Sequence, residues 1–378
     1  MTLRTTPLQF GYFFCLLMFV LLIIRGIKQQ RTSDKLLGWI MFILATELQD
    51  YTFGFAGINY LWTELNGFPR SLSLLFGPLV YFYFSSQLNQ AFRFTKKELV
   101  HFVPYFIYFL YSIAFFIQGP EVVIQQQDST TDLVLSYLLD ATLLLSYFYY
   151  FSKSLQLYRK YKNWSINQFS NTRFINFNWF RNFILSMIFW LSFRELMYII
   201  DEVYDLPFYQ DWWWNLGLVV VSIYIGLTGY AQIQTTRINF NPTVDVKKSN
   251  INEANTEIDK KTSAKHQSIA EKIAQLMENK QLFLNPDLNL TELSKHADAS
   301  SSEISAAINQ VFKKNFNDYI NNLRIDTFIA LFSEQDKSQY TMLSIAYDSG
   351  FNSKATFNRA FKKSKGISPK AFFEKLVR

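Results

Sequence analysis

The sequence predicts an all-α protein in two parts: a polytopic bundle of seven transmembrane helices, then a polar domain of two helix-turn-helix units joined by a long helix. Three observations point there. Of the 378 residues 49% are apolar, with 39 Phe and 22 Tyr, more than a chain lying wholly in water carries. That excess ends at Ile233, and from Gln234 onward the composition is ordinary and polar. The apolar pattern also changes, from uninterrupted runs of about 20 residues, the length that crosses a bilayer, to the three- and four-residue spacing of amphipathic helices. The division that follows is a membrane domain over 1–235, a flexible cytoplasmic linker over 236–266 and a polar helical domain over 267–378.

Taken in order, spans are expected at 8–24, 36–58, 72–88, 99–117, 133–151, 179–200 and 212–233. The first has little positive charge before it, the basic flank Arg25, Lys28, Arg31 and Lys35 after it, and no small-residue cleavage site. It therefore reads as a retained span and not a signal peptide. Loop charge orients the bundle. The first, third and fifth connections carry that basic flank, then Arg93, Lys96 and Lys97, then Lys153, Arg159, Lys160, Lys162 and Arg173. The fourth and sixth carry Glu121, Asp128 and Asp132, then Asp201, Glu202, Asp205 and Asp211, with no Lys or Arg, and the second has only Arg70 against Glu64. Basic loops stay in the cytoplasm. The expected arrangement is thus a multi-pass protein of the inner (cytoplasmic) membrane, N-terminus outside, with the tail after Ile233 in the cytoplasm. Trp212, Trp213 and Trp214 fall at the outer interface, where indole rings anchor.

Ionisable groups inside the lipid are expensive and mark function by default. Asp50, Asp140, Arg194 and Glu195 are expected in the outer parts of their spans, with Glu47 nearer the middle. Two readings stand: a cavity open to the outside that takes an extracellular or membrane ligand, and a structural ion-pair set in which Arg194 meets Asp140 or another of the carboxylates. The single cysteine, Cys15, lies in an apolar run, and His101, His266 and His296 are scattered. Neither a disulfide framework nor a metal site is expected, no cofactor is implied, and no nucleophile, base or phosphate-cradling loop points to an enzyme.

The stretch 239–266 lacks apolar periodicity and reads as a tether; about 28 residues of such coil span about 30 Å on average. Beyond it a helix is expected over 267–283, with Ile269, Ile273, Leu276 and Met277 inward and Pro286 as its stop. Asn289 begins an N-cap pattern completed by Glu292, and Leu290, Leu293 and Ala297 form the buried stripe of the next helix. Ser300 caps a further helix to Phe312, with Ile304, Ala307, Ile308 and Val311 inward, and residues 316–332 make the long connecting helix.

The last stretch, from Leu343 to Pro369, reads as helix, tight turn, helix. Gly350 stands where the chain reverses and needs positive φ, and Ser353 is the N-cap that follows. Ala355, Phe357, Ala360 and Phe361 are assigned to the apolar stripe, leaving Lys354, Thr356, Asn358, Arg359, Lys362 and Lys363 in front. Such a front suits a major groove, since these side chains pair with base edges and phosphates. From Lys354 to the end there are eight Lys and Arg against one Glu, which favours salt-dependent phosphate contacts.

Ile345, Ala346, Gly350, Phe351, Ser353, Phe357, Arg359, Phe361, Lys362, Lys363, Gly366, Ser368 and Pro369 fall in register with the second helix-turn-helix of the AraC/XylS transcription regulators, which this stretch closely resembles. It departs from the family at Ala355, where a polar residue is common. The preceding stretch resembles the first unit of the same family, and the resemblance covers about 269–376. It implies double-stranded promoter DNA as the partner, with Ser301, Ser302, Glu303, Ser305, Ala306 and Asn309 facing one groove, and Asn352, Lys354, Thr356, Asn358, Arg359, Lys362 and Lys363 at the next. The connecting helix, about 25 Å long, sets the two readers about one DNA turn apart. The first surface is the weaker reader, with Glu303 in it and almost no positive charge before Lys313. The reading is a one-component regulator in which a seven-span sensor biases DNA binding, through changed homodimer geometry or release of the domain. The alternative is a seven-span receptor whose C-terminal helical domain binds protein partners.

Overall fold

In the computed structural model, residues 5–89, 92–170, 177–232, 240, 258–334 and 340–376 are described. Among them the chain is helical with no strand, apart from an isolated antiparallel bridge between Phe169 and Asn289. It divides into two compact units, one of residues 1–158 with 177–240, the other of 159–176 with 241–378.

The first unit holds α1 (Thr5–Lys28), α2 (Thr32–Phe55), α3 (Ser73–Leu88), the single turn α4 (Lys96–Leu99), α5 (Val103–Phe116), α6 (Pro120–Gln127), most of α7 (Thr130–Gln168), α8 (Phe177–Tyr204) and α9 (Trp212–Tyr230). The described residues of each expected span fall mainly on helix, those of 99–117 on α4, a 3-10 turn and α5. Five stretches, Thr6–Lys28, Lys96–Phe116, Thr130–Gln168, Asn178–Asp201 and Trp212–Tyr230, are long and apolar enough to cross a membrane. α2 and α3 are not among them: α2 carries Asp34, Lys35, Glu47 and Asp50, and the 16 residues of α3 reach about 24 Å against a hydrocarbon core of about 30 Å.

Helices α1, α2, α3, α8 and α9 form the packed part. Small residues let them close: a Cβ on Gly226 would meet the Phe14 ring at 2.8 Å, the backbone approach on which helix packing in lipid relies. One end is tied by Arg25, whose Nε and Nη2 donate to Asp34 at 2.7 and 2.9 Å while Nη1 donates to the carbonyl of Tyr230 at 2.6 Å. Asp34 is almost wholly buried, and Arg31 also lies 3.8 Å from it, so the buried carboxylate is paired twice.

The second unit begins with the last turns of α7 and contains α10 (Ile258–Lys280), α11 (Leu290–Ala297), α12 (Ser301–Val311), α13 (Phe316–Glu334), α14 (Met342–Asp348), α15 (Lys354–Lys365) and α16 (Pro369–Leu376). α10 starts at Ile258, so residues 258–266, expected as linker, are helix; the rest of the linker, apart from Phe240, lies outside the described residues. The reason is tertiary: His266 is buried and bonded to Gln310 of α12, and Lys265 reaches Glu303 at 2.6 Å.

There are two cores. Ile273, Met277, Leu290, Leu293, Ile304 and Ile308 fill the first, with Phe316, Tyr319 and Ile320 from the start of α13. Ile345, Phe351, Phe357 and Phe361 fill the second, with Ile325 and Phe328 from later in α13. The connecting helix therefore belongs to both helix-turn-helix motifs of this unit and fixes those two motifs to each other.

Candidate DNA-binding surface and membrane cavity

In the first helix-turn-helix Asn289 Oδ1 accepts from the Glu292 backbone N–H at 3.0 Å, capping α11. The Glu292 carboxylate turns instead to Asn285, at 3.1 Å. At α12 both halves of the capping box form: Ser300 Oγ accepts from Glu303 N–H at 3.3 Å, and Ser300 N–H donates to the Glu303 carboxylate at 2.9 Å. Ser302 and Asn309 are exposed and Ser301 and Ser305 half-buried, on one stripe clear of Ile304, Ala307 and Ile308. Glu303 is not a loose negative charge there. The bond from Lys265, then those from Ser300, hold its carboxyl down to about 2.

In the second unit Thr341 caps α14 and Ser353 caps α15, their hydroxyls accepting from Ser344 N–H at 3.1 Å and Thr356 N–H at 3.2 Å. Between them Gly350 takes φ +92°, the turn that the sequence requires of it. Phe357 and Phe361 are buried against Phe328 of α13, with ring centroids 4.6 and 5.9 Å apart. That pair sets the phase of α15. Lys354, Ala355, Asn358, Arg359 and Lys362 come out exposed on one stripe.

Two expectations are corrected. Thr356, expected in front, is only 7% exposed and its hydroxyl accepts from Ser353 Oγ at 2.9 Å, whereas Ala355, expected inward, is exposed. At 100° per residue Thr356 falls 40° from Ala360, which packs on the core of Phe357 and Phe361, while Ala355 falls 20° from Lys362 and 60° from Asn358. Lys363 is exposed, yet its Nζ lies 2.6 Å from both carboxylate oxygens of Asp318 on α13, so it braces the connecting helix. Lys365 does the same with Asp326 at 3.0 Å. Asn352 sits half-buried in the turn.

Sequence reasoning missed the junction of the two helix-turn-helix motifs. Arg324, 1% exposed, donates from Nε to the carbonyl of Phe283 at 2.7 Å and from Nη2 to that of Asn285 at 2.8 Å. Its guanidinium also lies 5.9 Å from the centre of the Phe351 ring in the second unit. Burial lowers its pKa to about 10, which leaves it charged at neutral pH. Gly350 packs at the same place: a Cβ there would stand 2.7 Å from the carbonyl oxygen of Phe283. The signal in the sequence was an arginine amid the apolar positions of a helix, a placement that needs buried acceptors.

In the compact unit of α1 to α9 Glu47 and Asp50 line a cavity of about 410 Å³, together with Tyr51, Arg70, Tyr108, Tyr111, Gln126 and Asp132. Asp140, Arg194 and Glu195, expected with them, are not part of its wall. Arg194 meets Glu195 at 2.6 Å and Glu47 at 3.9 Å, and it feels Asp140 only through its field. Asp50 is taken by Arg70, whose Nε and Nη2 lie 3.0–3.2 Å from its oxygens. Arg70, the lone cation between α2 and α3, was the residue to suspect.

Residues 293–375 match the family model of the helix-turn-helix domain. No curated protein and no solved structure matches the chain. From the register of its motifs, the two capped units and this match, the chain carries at its C-terminal end the AraC-type helix-turn-helix domain of a DNA-binding transcription regulator.

Proposed function

We propose that the protein is a membrane-embedded one-component transcription regulator, with the α1–α9 region as sensor in the inner membrane and the C-terminal domain reading promoter DNA in the cytoplasm. The observation that carries the reading is the exposed stripe Lys354, Asn358, Arg359 and Lys362 on α15, in one chain with five helices apolar enough for lipid. Arg359 and Asn358 have the donors and acceptors that read base edges, and Lys354 and Lys362 the charge that holds phosphates. Asn352 and Lys363 stand at the flank of this stripe, and Ser301, Ser302, Ser305 and Asn309 serve a neutral groove contact by the first unit. The cavity around Glu47 and Asp50 is the proposed entry for an external signal, with Arg194, Glu195 and Asp140 as the polar support beside it. Ligand binding shifts the output only by its difference in affinity for two arrangements of the bundle.

Genome-wide binding by the tagged full-length chain tests the DNA assignment. Enrichment at a common promoter motif is expected. Absence of enrichment, with a protein partner recovered by crosslinking, would select the receptor reading instead. A reporter fused after Arg378 is expected to be active in the cytoplasm, and periplasmic activity would overturn the topology.

A further inference from the structure

The short segment after α7 reaches a place that DNA reading alone does not explain. Phe169 pairs with Asn289 in the antiparallel bridge. Ser170 is fully buried; its N–H donates to the carbonyl of Leu288 at 3.1 Å and its Oγ–H to the same oxygen at 2.5 Å. Asn317, on α13, donates from Nδ2 to the carbonyls of both Phe169 and Ser170, at 3.1 and 2.8 Å. Arg324 completes the set, its Nη2 donating to Ser170 Oγ at 3.2 Å. These contacts fall within the second compact unit, which takes in residues 159–176.

We infer that Leu288, Asn289, Asn317 and Arg324 form a docking site for the cytoplasmic end of α7, and that its occupancy sets the spacing of the two DNA-reading helices. The argument is positional. Arg324 is the residue that joins the units, through Phe283 and Asn285 on one side and Phe351 on the other. Ser170 holds one of its donors, and Asn317 sits two turns before it on the helix that both cores share. A buried serine with satisfied bonds at that hinge steadies Arg324; its withdrawal leaves a buried guanidinium donor and the Leu288 carbonyl to find other partners. α7 is the element that moves it, because its 39 residues run without a break from an apolar span into this segment. Binding two successive grooves at once depends on the angle between α12 and α15, whereas phosphate contact by α15 alone does not.

The inference rests on the proposed DNA-binding function, and the test separates the two. The full-length chain in lipid nanodiscs is first used to select a duplex from a random library, then compared with S170A, S170T and N317A on the selected duplex and on one of random sequence. For S170A and N317A affinity for the selected duplex is expected to fall about fivefold, the worth of roughly one buried hydrogen bond, with random-sequence binding within about twofold of wild type. S170T, which keeps the hydroxyl, is expected to stay near wild type on both. Unchanged selected binding in S170A and N317A overturns the docking site, as does an equal loss on both duplexes. Failure of the wild-type chain to select any duplex overturns the DNA-binding reading, and this inference with it.

Discussion

The two helix-turn-helix units are built on one plan, but one presents a neutral face and the other a cationic one. Each reading helix opens on a serine cap and buries one stripe against α13. The first then presents hydroxyls and an amide, Ser301, Ser302, Ser305 and Asn309, with its carboxylate tied up by Lys265 and Ser300. The second has Lys354, Arg359 and Lys362 exposed on its face. A neutral reader gains little from phosphates and must depend on fit, while a cationic one gains affinity anywhere on DNA. In the proposed function the pair is therefore useful only if the second unit is held at a fixed distance from the first, so that its general affinity is spent where the first also fits.

The change expected to do most damage strikes what the units share. Gly350 has φ +92° and no room for a Cβ, which would stand 2.7 Å from the Phe283 carbonyl oxygen and 2.9 Å from the Leu284 Cα, both backbone. Gly350→Ala is expected to cost about 3 kcal/mol, from a disfavoured backbone conformation and from overpacking. Amide exchange is the measurement, and protection should fall across both 282–297 and 342–365. Loss confined to the second stretch would show that the units are less coupled than Arg324 and Gly350 make them.

Next in size is a change on the charged face alone. Arg359→Ala is expected to weaken binding to a selected duplex by about 1–3 kcal/mol with a smaller loss on random DNA, whereas Lys362→Ala should lower the salt slope by about 1. Asn309→Ala on the neutral face should leave that slope unchanged. Titrating each variant at several salt concentrations checks all three, and a slope that moves with Asn309 would break the division of labour.

Most of this contrast was legible in the residues. Asn289, Ser300 and Ser353 announced the helix starts, Gly350 the turn, and Phe357 with Phe361 the buried face. What escaped was whatever depends on contacts far along the chain. Thr356 looked like a surface residue because a hydroxyl tells little of its phase, and only the packing of Phe357 and Phe361 on Phe328 decides it. Residues 258–266 looked like a tether because their partners Glu303 and Gln310 come about 40 residues later. Arg70 and Asp50, 20 apart, and Ser170 and Arg324, 154 apart, are pairings that no helical period encodes. In the membrane unit the helices were readable from apolar length alone, but which ionisable groups meet in the cavity was not.

The caps give a finer comparison at about 1 kcal/mol each. Ser300→Ala removes a hydroxyl that closes a two-sided box with Glu303, and Ser353→Ala removes one that also serves the buried hydroxyl of Thr356. Exchange at the first turn of α12 or of α15 should rise in the matching variant only. A rise in both would mean that the two caps report on one cooperative unit.

The smallest expected effect concerns the charge that keeps the first unit neutral. Glu303 is held down to about 2 in the fold, by Lys265 first and Ser300 next, against about 4.3 for a free glutamate. A depressed carboxyl stabilises the fold fully above the ordinary value, and that contribution is lost as pH falls from about 4.3 through about 2. The pair is exposed, with Lys265 63% and Glu303 34% open at the side chain, so Lys265→Met should cost less than about 1 kcal/mol at neutral pH. Its sharper consequence is local: the Glu303 titration, followed by carboxyl NMR, should move up toward the ordinary range while the Ser300 bonds keep it below. A Glu303 that titrates alike with and without Lys265 would make the capping box, not the lysine on α10, the source of the neutral face.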